Sequence, residues 1–174
     1  MGLWACDAGK TSGVASCVVD FAGKGPTGGL LRRRTHSEAH QLTWESLGGG
    51  KIDDVSGGTI GAALGAEYAR WVGVMRREGV EELVMVLELY RLRAMVSSDL
   101  EVLLPLTVNA GMMAWLGGRP REGETWMFVS PTDGKRTMTR ERLERAGMWE
   151  VGEQHARDAW RYLAVAARRY RAGL

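Results

Sequence analysis

Residues 2–13 read Gly-Leu-Trp-Ala-Cys-Asp-Ala-Gly-Lys-Thr-Ser-Gly, and this stretch decides the predicted fold. An apolar run ends at Asp7, a glycine-rich turn follows, and a second strand-like run covers residues 13–21. This order predicts two strands, at residues 2–7 and 13–21, joined by a tight turn. Ligands of open α/β sheets gather at the carboxyl ends of strands. Asp7 is therefore the first candidate site residue.

The whole chain predicts a mixed α/β sheet flanked by helices. The order β-β-β-α-β-α-β-α-α gives a three-strand meander and then two parallel crossover strands, which makes a five-stranded sheet. A length of 174 residues fits a single domain over residues 1–174. Beyond residue 21 the predicted elements are a strand at 28–36, a loop at 37–58, a helix from about 60 to 75 capped by Gly79, a strand at 83–87, a helix from about 105 to 116, a strand at 125–129, a short helix at 140–145 and a helix from about 153 to 171.

Composition sets only broad limits on function. The formal net charge is +2, so total charge does not mark a nucleic-acid binder, but the basic residues are almost all Arg. Arg suits bidentate phosphate contacts, although a GC-rich genome also enriches Arg. Cys6 and Cys17 lack metal-ligand spacing and are expected to be buried free thiols in a reducing compartment. No signal peptide and no apolar stretch of about 20 residues is seen, which favours a cytoplasmic protein without a membrane partner.

A second carboxylate and a late helix complete the candidate site. Glu88 ends the apolar run at residues 83–87, so two parallel neighbouring strands would place it beside Asp7. At about 100° per residue, His155 and Asp158 lie about 60° apart on one face of the last helix. An apolar stripe beside them is expected to pack on the sheet, and a third stripe, made of Arg157, Arg161 and Arg168, is expected to face solvent or DNA.

This residue set predicts a metal centre. Carboxylates about 4 Å apart repel one another unless a cation or a proton intervenes. Hard oxygen ligands favour Mg²⁺ or Mn²⁺, and two such ions about 4 Å apart can hydrolyse a phosphodiester. Asp7, Glu88 and Asp158 are the expected carboxylate ligands, and His155 completes a coordination sphere or carries a proton. Each residue alone also fits a turn, a cap or a solvated position, so the prediction rests on the whole set.

The ordered set resembles the RuvC family of Holliday junction resolvases, and most of all its compact bacteriophage members. The resemblance covers nearly the whole chain, is weakest over residues 37–58, and departs from the family at Ala8, where Pro is common. The motifs that carry it are Asp7-Ala8-Gly9-x-x-x-Gly13, Glu88, the stretch Ser130-Pro131-Thr132-Asp133-Gly134-Lys135, and His155-x-x-Asp158-Ala159.

The resemblance implies an RNase H-like fold and a homodimer that makes paired, metal-dependent cuts in a four-way DNA junction. It implies catalytic roles for Asp7, Glu88, His155 and Asp158, and it places Lys135 near the scissile phosphate. It also implies a bacterial or phage-infected host cell. Arg91 and Arg93 directly follow Glu88 and are expected to contact DNA together with Lys135, Arg157 and Arg161.

Other functions remain open on the residues alone. The same fold would serve a nuclease for flaps or forks, an actin-like ATPase fragment with a DxG phosphate turn, or a non-catalytic DNA-binding module. A P-loop is excluded because position 4 holds Trp4 where the motif requires Gly. The segment His36-Ser37-Glu38-Ala39-His40 lacks the Glu directly after the first His that a zinc protease helix needs.

The predicted helix at residues 105–116 is the expected dimer interface. It carries more apolar surface than one sheet face needs, and small residues beside that surface would let a partner helix approach. Its apolar members are Val108, Met112, Met113, Trp115 and Leu116. Burial of the same helix under the sheet is the alternative.

Overall fold

A five-stranded mixed sheet organises the part of the chain that the structure describes. The computed structural model describes residues 1–19, 38–89, 100–146, 149 and 154–173. The strand order is β3-β2-β1-β4-β5; β1, β2 and β3 pair antiparallel, and β1, β4 and β5 pair parallel. The strands are β1 (Gly2–Asp7), β2 (Thr11–Val18), β3 (Glu38–Thr43), β4 (Leu83–Glu88) and β5 (Glu124–Val129).

Helices cover both faces of this sheet. The helices are α1 (Ser56–Arg77), α2 (Leu100–Trp115), α3 (Pro131–Thr137), α4 (Arg140–Arg145) and α5 (Gln154–Arg171), and a 3₁₀ turn spans Glu45–Leu47. One core cluster packs α1 and α2 on the sheet, and the other packs α5 on the opposite face. Every residue of the central strand β1 is buried, as a strand covered on both faces requires. The mixed five-stranded α/β fold predicted from the sequence is therefore confirmed.

Three predicted boundaries are wrong in the first half of the chain. The second strand, predicted at residues 13–21, is β2 and runs from Thr11 to Val18. A strand, β3, occupies residues 38–43 inside the segment predicted to be a loop, and α1 already begins at Ser56. As an edge strand, β3 is only partly buried, so its sequence lacks the apolar run that marks a central strand. The strand predicted at residues 28–36 lies outside the described residues.

Helix α2 also differs from its predicted start. It begins at Leu100 and contains Pro105, although proline removes a helical hydrogen bond. Burial offsets that loss, because Leu104, Val108 and Met112 are all at most 2% exposed. Met112 and its row therefore face the core rather than a partner, which makes the predicted interface wrong at these positions. Among the α2 side chains that the structure describes, the exposed large apolar ones are Leu106 (40%) and Trp115 (48%).

The helix α3 was absent from the sequence prediction, which stopped at the strand before Pro131. Its signals are local: Ser130 is the N-cap and accepts a hydrogen bond from the backbone N–H of Asp133, and Pro131 occupies the first turn. None of the described helices is long and apolar enough to cross a membrane.

Candidate active site

Two carboxylates meet at the carboxyl edge of the sheet. Strands β1 and β4 are parallel neighbours, and Cys6 pairs with Leu87 in their register. The next residues in the two strands are Asp7 and Glu88, so the two carboxyl groups lie side by side at the same edge of the sheet. The adjacency predicted from the two apolar runs is confirmed.

Helix α5 supplies two hydrogen bonds to Asp7. Nδ1 of His155 lies 2.8 Å from Oδ2 of Asp7, and the hydroxyl of Tyr162 donates to Oδ1 over 3.2 Å. Asp7 is 7% exposed and Tyr162 is 3% exposed, whereas the His155 side chain is 41% exposed. His155 and Tyr162, about two turns apart on α5, thus each hold one oxygen of Asp7. The His155 ring also reaches solvent.

Asp158 lies on the same face of α5 but is engaged differently. One of its oxygens, Oδ1, accepts a charge-assisted hydrogen bond from a guanidinium N–H of Arg161, three residues further along the helix. Nε of Arg161 donates to the backbone oxygen of Met138 over 3.1 Å. Arg161 therefore faces inward, and its side chain is only 13% exposed. This corrects the expected orientation toward solvent or DNA for Arg161, whereas Arg168 of the same predicted stripe is exposed.

The approach of α5 to the sheet explains the last glycine of the Asp7–Gly13 motif. A Cβ placed on Gly13 would lie 2.0 Å from the backbone C and O atoms of His155. Only a residue without a side chain lets the first turn of α5 rest on β2 at this point. Gln41 of β3 reinforces the contact, because its Oε1 accepts from the backbone N–H of His155 over 3.1 Å.

Helix α3 brings a basic residue to the same edge. It packs on α5 at Gly134, where a Cβ would lie 3.1 Å from the ring of Tyr162. Lys135, the next residue, is exposed, and its charge is close enough to lower the pKa of Glu88 in part. The charge of Lys135 therefore acts on the carboxylate cluster, and its expected contact with the scissile phosphate stays a prediction.

The cluster carries unbalanced negative charge. Burial, the hydrogen bond with Asp7 and the charges of Asp7 and Asp158 together raise the pKa of Glu88 from 4.5 to about 8. The same carboxylates and burial raise the pKa of Tyr162 well above its usual value, so its hydroxyl remains a neutral donor. Near neutral pH, Glu88 is therefore mostly protonated in the cation-free molecule.

A pH dependence of stability follows from this shift. The folded chain keeps a proton on Glu88 that the unfolded chain releases above about pH 4.5, so the contribution is complete below that pH and is lost as pH rises toward about 8. In EDTA, we expect this term to lower the midpoint of thermal unfolding between pH 5 and pH 8, and Glu88→Gln to remove most of that slope. An identical slope in Glu88→Gln would contradict the assignment.

The types of side chain at this edge, though not their present arrangement, fit a hard divalent cation. Three carboxylates and an imidazole form an oxygen-rich donor set of the kind that Mg²⁺ and Mn²⁺ accept. Burial and repulsion among the carboxylates raise the pKa of Glu88. A bound cation would relieve that repulsion. In the part of the chain that the structure describes, no three His, Cys, Asp or Glu side chains are grouped closely enough to hold an ion as they stand. Asp158 is turned to Arg161, so cation binding requires local rearrangement.

The predicted DNA contacts divide into four groups. Lys135 is exposed beside the cluster. The guanidinium of Arg157 lies 4.5 Å from the ring centroid of Trp149, whose ring Arg140 also contacts at 5.0 Å. Arg161 faces the site, as described above. Arg91 and Arg93 lie outside the described residues, and their roles stay predictions.

Three neighbours of the site were not singled out from the sequence. Tyr162 was assigned only to the face shared with His155 and Asp158, and Gln41 lay in the predicted loop. Asn109 of α2 is 5% exposed and donates from Nδ2 to the backbone oxygen of Glu88 over 3.0 Å. A polar residue in an otherwise apolar helix row was the available signal for Asn109.

The sheet order, its helices and the acidic edge define an RNase H-like α/β fold. In sequence, the chain matches no family model and no curated protein. In structure, it is similar to RuvC of Thermus thermophilus, with 19% identity, a TM-score of 0.54, and coverage of 99% of this chain and 97% of that chain. It is also similar to T. thermophilus RuvC in complex with a Holliday junction substrate, with 16% identity, a TM-score of 0.57, and coverage of 99% and 96%. The chain therefore has a RuvC-like fold over almost its whole length.

Proposed function

We infer that the protein is a Mg²⁺- or Mn²⁺-dependent, structure-selective DNA endonuclease whose substrate is the Holliday junction. The observation that carries this is the cluster of Asp7, Glu88, His155 and Asp158 at the carboxyl edge of a RuvC-like sheet. Such a cluster needs positive charge, and a phosphodiester near bound cations would be positioned for hydrolysis. The solved complex of T. thermophilus RuvC with a Holliday junction supports branched DNA as the substrate class.

Each residue has a separate role in this proposal. Asp7, Glu88 and Asp158 would hold the cations, and His155 would lie at the margin of the site. Bound divalent cations supply charge neutralisation and an acidified water. The His155 ring is partly exposed and keeps Nδ1 on Asp7, so Nε2 is the atom that would exchange a proton with solvent or DNA. Tyr162 keeps Asp7 oriented, and Lys135 would contact the phosphate chain.

Paired cuts across a junction require two active sites, so we further propose a homodimer that works inside a bacterial or phage-infected cell. Symmetric cleavage of a four-way junction matches the two-fold axis of such a dimer. Leu106 and Trp115 on α2 are exposed apolar side chains outside the core and are the remaining candidates for its interface.

The test is cleavage of a matched set of DNA substrates. A four-way junction, a replication fork, a flap and a linear duplex of shared sequence are incubated with the protein in Mg²⁺, Mn²⁺ or EDTA. We expect symmetric paired nicks in the junction with either cation, no cleavage in EDTA, and little cleavage of duplex. Preferred cutting of the flap or fork at a single strand would replace the junction assignment with the alternative nuclease of the same fold.

Two other functions would give different results in the same preparation. An actin-like ATPase fragment would bind ATP and be stabilised by it in a thermal-shift assay, with no DNA cleavage. A non-catalytic DNA-binding module would bind the junction but leave it intact in every cation. The intact set of three carboxylates favours the nuclease over both, since neither needs all three at one edge.

A further inference from the structure

Arg161 is held on two sides within the candidate site. Its Nε donates to the backbone oxygen of Met138, which directly follows α3, and its terminal N–H donates to Oδ1 of Asp158. The side chains of Arg161 and Asp158 are 13% and 10% exposed. A pair this shielded is screened less by water and salt than a surface ion pair.

The guanidinium supplies charge where a cation would otherwise be needed. Asp158 raises the pKa of Glu88 through its charge, so the Asp158–Arg161 pair belongs electrostatically to the carboxylate cluster. An arginine side chain is a cation that belongs to the protein itself. The positive charge of Arg161 beside Asp158 therefore stays in place, whereas a divalent ion exchanges with solvent.

The hydrogen bond to the backbone oxygen of Met138 restricts the position of the Arg161 side chain. The Nε bond to a backbone oxygen holds the guanidinium plane independently of Asp158. Asp158 can therefore rotate away while Arg161 keeps one partner, which lowers the cost of breaking the pair. An oxygen that accepts from Arg161 has fewer lone pairs to offer a cation, so the two compete for Oδ1.

We propose that Arg161 is a built-in counter-ion that occupies Asp158 in the cation-free protein and that a divalent cation must displace. Arg161 is thus a positioning residue that sets the cation affinity of the site, rather than a phosphate contact. This inference rests on the proposed function, because it takes Asp158 to be a cation ligand. It explains why Asp158 is paired with an arginine, whereas Asp7 is hydrogen-bonded to His155 and Tyr162.

The test measures cation affinity without DNA or catalysis. Free Mn²⁺ is followed by electron paramagnetic resonance during titration of wild type, Arg161→Met, Arg161→Lys and the control Arg168→Met. Arg168 lies on the same helix and is exposed. We expect Arg161→Met to bind Mn²⁺ about tenfold more tightly, the scale of losing a competing charge-assisted hydrogen bond. Arg161→Lys should lie between it and wild type, and Arg168→Met should match wild type.

The outcomes separate this inference from the proposed function. If wild type binds Mn²⁺ and Arg161→Met binds it equally or more weakly, Arg161 is not a competitor and the inference fails alone. If wild type binds no Mn²⁺, the proposed cation-dependent nuclease is contradicted, and the inference that rests on it is overturned as well. Loss of junction affinity in EDTA with unchanged Mn²⁺ affinity would make Arg161 a phosphate contact and overturn the inference. If Arg161→Met does not fold, Arg161→Lys provides the test, because one ammonium cannot reproduce both bonds of the guanidinium. Tighter Mn²⁺ binding by Arg161→Lys than by wild type would support the inference, and equal or weaker binding would overturn it.

Discussion

Asp7→Asn is expected to reduce junction cleavage by roughly 10³-fold or more, the scale seen when one member of a catalytic unit is removed. Asp7 is the residue on which the site converges, since it lies beside Glu88 and is hydrogen-bonded to His155 and Tyr162. An amide of the same shape removes the negative charge that a cation needs, and it presents a donor where Asp7 accepts two hydrogen bonds.

Binding of DNA should survive the same substitution. Phosphate contacts come from basic side chains, and removal of one negative charge near DNA cannot weaken them electrostatically. The measurements are junction cleavage in Mn²⁺ and junction affinity in EDTA. Asp54→Asn is the matched control, because Asp54 is exposed in the segment before α1. Cleavage by Asp7→Asn within about tenfold of wild type would exclude Asp7 from the catalytic set.

Gly13→Val is expected to have the second large effect, on the fold and the site together. Even the first carbon of a side chain would overlap the backbone of His155, with 2.0 Å between the atoms. Backbone cannot move aside as a flexible side chain can, so α5 must lift from β2 and carry His155 away from Asp7. We expect a loss of about 1–3 kcal/mol or more in the free energy of unfolding.

Chemical denaturation and Mn²⁺ binding measure this effect. Gly50→Ala is the control, since no atom lies within 4 Å of a Cβ at that position. Wild-type stability and Mn²⁺ affinity in Gly13→Val would show that the first turn of α5 does not rest on β2 as described.

The sequence could predict the sheet edge of the site because strand periodicity is local. Asp7 and Glu88 each end an apolar run, and parallel pairing then places the two side chains together. Helical spacing likewise placed His155 and Asp158 on one face of α5. These predictions required no knowledge of the tertiary contacts.

The remaining features depend on tertiary partners. Arg161 turns inward because Met138 offers a backbone oxygen, and nothing in the sequence near Arg161 indicates that partner. The sequence assigns Met112 to a dimer interface, whereas the structure buries it in the core. The pattern of an apolar helix does not show which of its faces packs on the rest of the same chain. The strand β3 was missed because it lies at the edge of the sheet and contains one large apolar residue, Leu42.

The most direct test of the account is a crystal structure with Mn²⁺, in which anomalous diffraction locates the ions without reference to activity. We expect Mn²⁺ to be bound at about 2.0–2.2 Å by carboxylate oxygens of Asp7 and Glu88. We also expect Asp158 to leave Arg161 and join them. Mn²⁺ bound elsewhere, with no ion at Asp7 and Glu88, would contradict the claim that this acidic edge is the catalytic metal centre.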